Sequence, residues 1–213
     1  MTIQRGGKNE ERLYLYSLVF PFNDDIVYVN RTDMPGIDNI VARHKARYYL
    51  PAFFCRPGMR VLDIPCGSGY GFEILRNTGV QYHGMDNDPV TIEYCKRIYN
   101  ENGAKFIVGD LTDSVFGTDY DIIMCIEGIE HIEAKYQAPL VRGFFNALKP
   151  SGMLVVSSPY TIGINNPYHK HEMNPLEFLR LLESVFGNVQ CLSFDETLHN
   201  GSISNCMYGV CKK

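Results

Sequence analysis

Residues Arg60 to Phe72 read RVLDIPCGSGYGF, and the rest of the chain is arranged around them. Val61, Leu62 and Ile64 form the short apolar run that a strand buried on both faces requires. Pro65-Cys66-Gly67-Ser68-Gly69 is a tight turn of small residues. Phe72, Ile74 and Leu75 then repeat at a helical spacing that faces a core. A strand feeding a glycine turn and a helix leaves backbone N–H groups free at the helix start, where a nucleotide-like ligand binds. Glycine suits such a turn because a Cβ would block the ligand's approach.

A G-x-G fragment is a weak signal until its context, strand before and helix after, sharpens it. Asp63 stands two residues ahead of the turn. Asp86 ends the next apolar run, Val80 to Met85, about 20 residues on, where a carboxylate accepts hydrogen bonds from a ribose diol. Dinucleotides and S-adenosyl compounds both carry that diol, so Asp86 leaves the two open.

The 213 residues suit one domain with an ample core. Hydrophobic residues at 45% and charged residues at 21% describe a globular chain rather than a disordered one. A net charge of −4 argues against a broad nucleic-acid footprint, though not against a local patch. Seven cysteines without a C-x-x-C pair read as reduced thiols. No run approaches a membrane span, and Leu13 to Phe22 is broken by Pro21, so the expected location is cytoplasmic. The oligomeric state is not legible.

Residues 1–36 read as an irregular, aromatic-rich leader, either a lid over the cleft or packing against a sheet; residues 37–213 read as the single main domain. Asp38 is placed to cap a basic helix from about Asn39 to Phe54, whose charges fit a solvated face or an anion site. Asp88-Pro89 opens a helix by N-cap and first-turn proline. Strands are expected at 106–108, 120–126 and 153–157, and helices at about 134–148 and 175–186. Two last strands, near 189–194 and 203–211, lie close enough to form an antiparallel hairpin. Such alternation predicts a doubly wound, mostly parallel α/β sheet.

The turn D-I-P-C-G-S-G resembles the D-x-G-x-G-x-G loop of class I S-adenosylmethionine-dependent methyltransferases, with GMDND at 84–88 as their second-strand signature. The resemblance runs from about Ile37 to the end of the chain. It implies a Rossmann-like sheet of seven strands with an antiparallel final strand. It implies S-adenosylmethionine as cofactor, with Asp63, Pro65, Gly67, Gly69, Asp86, Asn87, Asp110, Leu111 and Glu127 around it. Pro65 departs from the pattern: it stands where the family has its first glycine and cannot donate a backbone hydrogen bond. Asp110 is either the adenine contact or a turn cap.

After the fourth expected strand comes Glu127-Gly128-Ile129-Glu130-His131, at the mouth of the cleft. Imidazole titrates near neutrality, so His131 is a candidate base toward a substrate hydroxyl, against the alternative that it only packs. His169 and His171, in the loop after Ser157-Ser158-Pro159-Tyr160 and Asn165, are the alternates. E-x-x-E-H followed by H-x-H-E resembles the methyltransferases of bacterial glycan and natural-product pathways, which share an R-Y pair, here Arg47-Tyr48. It is also similar to the small-RNA 2′-O-methyltransferases, in which such residues hold a divalent metal. That likeness would make Glu127, Glu130, His131 and His169 the ligands of Mg²⁺, Mn²⁺ or Co²⁺. The expected reaction is O-methylation of a sugar or other small polar metabolite, with no membrane partner. The alternatives are metal-dependent RNA methylation, an NAD-dependent oxidoreductase, and a non-catalytic partner that keeps the fold.

Overall fold

The computed structural model describes residues 1–6, 12–34, 36–99, 103–113, 115–159, 166–197 and 203–213. Among the described residues, ten strands and six helices follow in chain order. They are β1 (Thr2–Arg5), β2 (Leu18–Phe22), β3 (Asp25–Val29), α1 (Ile37–Ala46), α2 (Tyr49–Phe54), β4 (Arg60–Asp63), α3 (Tyr70–Leu75) and β5 (Gln81–Asp86). Then come α4 (Pro89–Ile98), β6 (Ala104–Val108), β7 (Tyr120–Ile126), α5 (Ala134–Ala147), β8 (Leu148–Pro159), α6 (Pro175–Glu183), β9 (Asn188–Thr197) and β10 (Ile203–Lys212). Short 3₁₀ turns cover Leu111–Asp113 and Ile129–His131.

The main sheet has seven strands in the order β6-β5-β4-β7-β8-β10-β9. Its pairings are parallel from β6 to β8, and β10 runs antiparallel to both neighbours. The chain winds outward from β4 to β6 and then crosses back to β7. The strand order therefore reverses between β4 and β7, and ligands bind beyond the strand ends at such a reversal.

The central strands bury both faces because their side chains alternate between two cores. Ile122, Met124 and Ile126 of β7 pack with Phe72, Leu75, Ile92 and Tyr94 from α3 and α4. Ile123 and Cys125 pack with Leu140, Phe144, Phe178 and Leu182 from α5 and α6. Each large apolar side chain so enclosed stabilises the fold by about 1.5–3 kcal/mol. All seven cysteines are free thiols, six of them buried. Among the described residues no helix is long and apolar enough to cross a membrane.

Four expectations need correction. The leader is not irregular: β1, β3 and β2 form a small sheet that joins the α3/α4 core through Phe20, Val27 and Val29. The helix expected over 39–54 is two helices, because Pro51 cannot donate to the Arg47 carbonyl and its ring collides with it. Asp38 lies inside α1 and meets Arg31 at 3.3 Å, while left-handed Gly36 (φ 79°) takes the cap position. The fifth main-sheet strand begins at Leu148 rather than Met153, and a register shift opposite Tyr120 and Ile122 absorbs Lys149 to Gly152.

Candidate active site

The glycine turn is held from both sides. Cys66 N donates to the Met85 carbonyl at 2.8 Å, and Gly69 N donates to the Cys66 carbonyl at 3.0 Å. Gly67 and Gly69 both have positive φ, 51° and 80°, for different reasons. A Cβ on Gly67 would meet nothing nearer than the Tyr70 ring at 3.8 Å, so the space beside it is open to a ligand. A Cβ on Gly69 would lie 2.6 Å from the Tyr99 ring, so that glycine serves packing.

Asp63 lies beneath the turn, fully buried, and accepts from Tyr82 Oη at 2.5 Å and Tyr48 Oη at 3.3 Å. Burial pushes its carboxyl up to about 7, against the two phenols that hold it down. Its role here is to support the turn from below rather than to line the cleft. Asp86 accepts from Gly67 N at 3.1 Å and from Asp88 N at 3.0 Å, which locks the strand end to the turn. Asn87 Nδ2 donates to Asp110 Oδ2 at 3.3 Å. Asp110 uses its other oxygen to cap the 3₁₀ turn, accepting from Thr112 N and Thr112 Oγ1 at 2.7 Å each. Those hydroxyl and amide donors draw its pKa down. Asp110 is thus a turn cap that keeps one oxygen toward Asn87, and Leu111 is buried behind it.

Beyond β7, Glu127 has φ 50°, an uncommon conformation for a residue with a side chain. Ser157 Oγ both accepts from Glu127 N at 3.0 Å and donates to Glu127 Oε1 at 2.9 Å. Arg47, buried at the break between α1 and α2, pairs with Glu127 Oε2 at 3.3 Å, and Cys206 Sγ lies 3.2 Å from Oε1. This carboxylate is anchored to the sheet, not to the histidines.

The histidines meet one turn later. The Glu130 carbonyl accepts from Lys170 N at 2.8 Å and His171 N at 3.2 Å, which draws residues 168–171 onto the Ile129–His131 turn. His131 and His169 then stand edge to face with ring centroids 5.0 Å apart. Ligand atoms of Glu130, His131 and His169 lie within 4.8 Å of one another. His169 Nδ1 is 2.5 Å from Glu172 Oε1. His171 faces elsewhere, with Nδ1 3.0 Å from Gln137 Oε1 on α5. Of the four expected metal ligands, three come together and Glu127 does not. Of the three candidate bases, His131 and His169 share a site and His171 does not. Tyr160 and Asn165 lie outside the described residues.

The two halves touch at Pro65. Its ring packs so closely on Gly128 that a Cβ there would sit 2.2 Å from Pro65 Cδ. The residue that departs from the expected glycine pattern therefore joins the turn to the histidine segment.

The residues suit S-adenosylmethionine: an open glycine at Gly67, a carboxylate at Asp86 for a diol, and Asp110 with Asn87 at the next strand end. The reading from sequence missed Arg12, whose Nη2 reaches Asp86 Oδ1 at 2.6 Å. It also gave no role to Arg47, Ser157 or Cys206 around Glu127. These pairs are separated by 30 to 80 residues in sequence, and no local pattern marks them.

Residues 61–152 match a family model described as a methyltransferase domain. A probable S-adenosylmethionine-dependent methyltransferase of Mycolicibacterium smegmatis is 29% identical over 67% of this chain and 57% of its own length. The mitochondrial ubiquinone biosynthesis O-methyltransferase of Schizosaccharomyces pombe is 30% identical over 49% of this chain and 39% of its own. The chain thus spans only about two to three fifths of these curated relatives. The crystal structure of a SAM-dependent methyltransferase from Archaeoglobus fulgidus superposes with a TM-score of 0.66 at 22% identity, covering 83% of this chain and 94% of that one. Residues 61–152 are thus similar to a methyltransferase domain, the curated relatives include S-adenosylmethionine-dependent methyltransferases, and the seven-stranded sheet shares the fold of a solved enzyme of that kind.

Proposed function

We propose that the chain transfers a methyl group from S-adenosylmethionine to a hydroxyl of a sugar or other small polar metabolite, with His131 as the base. The supporting observation is the contact of His131 Nδ1 with the Tyr168 carbonyl at 3.2 Å: a carbonyl can only accept, so Nδ1 is the donor and Nε2 is the nitrogen to which the proton-accepting role falls. An imidazole oriented in this way takes a proton from a hydroxyl without first rearranging. Bound S-adenosylmethionine supplies a methyl group already activated by its sulfonium. What remains for the protein is alignment and removal of one proton. His169, oriented by Glu172, and the buried Glu130 shape the other wall around His131. An oxygen acceptor agrees with relatives named ubiquinone biosynthesis O-methyltransferase and fatty-acid O-methyltransferase. The net charge of −4 favours a small acceptor over an RNA backbone.

A second reading is favoured by one observation: two imidazoles and a carboxylate converge within 4.8 Å. Glu130, His131 and His169 would then hold a divalent cation that acidifies the acceptor hydroxyl, in place of a base. S-adenosylhomocysteine release, followed with a panel of sugars and phenols, separates the two. Turnover that survives EDTA and falls about 10²–10⁴-fold in His131→Ala supports the base. Turnover lost in EDTA and restored by Mg²⁺ or Mn²⁺ supports the metal. Release with no acceptor in the panel removes the small-molecule reading.

A further inference from the structure

The segment from Arg12 to Tyr16 crosses the mouth of the glycine turn and is fastened on both sides of it. Ser68 Oγ in the turn donates to the Leu13 carbonyl, and Tyr16 Oη donates to Glu73 on α3 at 2.5 Å. On the other side, Tyr14 Oη shares a hydrogen bond with Thr91 on α4 at 2.8 Å, and Tyr16 N donates to Tyr94 Oη at 3.1 Å. Arg12 leads this strap, and its Nη2 lies 2.6 Å from Asp86 Oδ1 and 3.2 Å from Asn87 Oδ1.

A count of lone pairs gives this contact a consequence. An ionised carboxylate offers about four acceptor positions. Asp86 Oδ1 already accepts from Arg12 and from Asp88 N, and Oδ2 accepts from Gly67 N. One position remains, whereas a ribose diol donates two hydrogen bonds. The Gly67 and Asp88 donors are backbone amides, fixed by the glycine turn and the α4 cap. Arg12 is a side chain about one-third exposed, on a segment outside the main sheet, and is the donor able to leave.

We propose that Arg12 is a built-in competitor for the diol-binding carboxylate, so that cofactor binding and release of the Arg12–Tyr16 strap are coupled. The inference rests on the methyltransferase reading of the site. The same guanidinium also donates to Asn87 Oδ1, so its departure frees an acceptor on each of two neighbouring residues at the end of β5.

Calorimetric titration with S-adenosylhomocysteine tests this on the full chain, comparing wild type with Arg12→Gln and Tyr16→Phe. Arg12→Gln is expected to bind about threefold to tenfold tighter, the gain from removing one partly exposed charged competitor. Tyr16→Phe, which loosens the strap without touching Asp86, is expected to gain less. Hydrogen exchange at residues 13–16 of wild type is expected to quicken when the nucleoside saturates the protein. Equal or weaker binding by Arg12→Gln, or slower exchange at 13–16 on binding, overturns the coupling and leaves the methyltransferase reading intact. No binding by wild type or either variant overturns both.

Discussion

The two sides of the cleft, to which we assign the cofactor and the acceptor, are built differently. On the cofactor side, Gly67, Asp86, Asn87 and Asp110 sit at the ends of adjacent parallel strands and are fixed largely by backbone hydrogen bonds. On the acceptor side, Glu130, His131 and His169 come from two loops joined through the Glu130 carbonyl and through the contact of His131 Nδ1 with the Tyr168 carbonyl. A turn locked by the sheet determines where a ligand lies. A pair of loops locked to each other determines what happens to it, and loops can vary without disturbing the sheet. Variants on the two sides should therefore separate binding from chemistry.

The largest expected effect is on chemistry. His131→Ala should lower turnover by about 10²–10⁴-fold while leaving S-adenosylhomocysteine affinity within about twofold of wild type. A comparable loss of affinity in calorimetry would show that the two sides are one unit. Next comes Asp86→Asn, which removes the charge that a diol and two amides share. Affinity for the nucleoside should fall about a hundredfold, since charge-assisted hydrogen bonds contribute about 1.5–3 kcal/mol each. Turnover at saturating cofactor should change little, and a matching drop in that turnover would break the division.

Gly67→Ala and Gly69→Ala sharpen the comparison within one turn. Both place a side chain at positive φ, which costs about 1–2 kcal/mol in denaturant titration. Only Gly69→Ala also collides with Tyr99, so it should be the less stable of the two. Gly67→Ala should stay folded and lose affinity, because its Cβ enters open space beside the ligand.

A separate expectation, which touches neither binding nor chemistry, is a dependence of stability on pH. The Asp63 carboxyl rises from 3.8 to about 7 on folding, so between those values the folded chain binds more protons than the unfolded one. Stability from this group is present below about pH 4 and is lost as pH rises through about 7. Asp63→Asn should flatten that slope in urea titrations at pH 4.5, 6 and 7.5. An unchanged slope would mean that Asp63 is not the group that carries it.

How much was legible follows from these same residues. The stretch 60–72 displayed strand, turn and helix because each is encoded by neighbours: apolar runs, glycines and an amphipathic repeat. Asp86 and Asp110 were legible because strand ends recur at regular intervals in an alternating chain. The E-x-x-E-H turn marked His131 and Glu130 by type and place, but their sequence gave no sign that Glu127 turns toward Arg47, Ser157 and Cys206. His169 and His171 are equivalent by spacing. Which of them meets His131 was decided by the Glu130 carbonyl and by Gln137, a residue on α5.

By itself, then, the sequence determined the doubly wound sheet, the glycine turn and the carboxylates at its strand ends, since those depend on short-range pattern. Only the tertiary structure decided that Pro65 seats on Gly128, that His169 rather than His171 faces His131, and that Arg12 reaches Asp86 across 74 positions of chain. Local pattern carries dihedral preference and burial. Contacts between distant side chains depend on how the folded elements meet, which no short window of sequence contains.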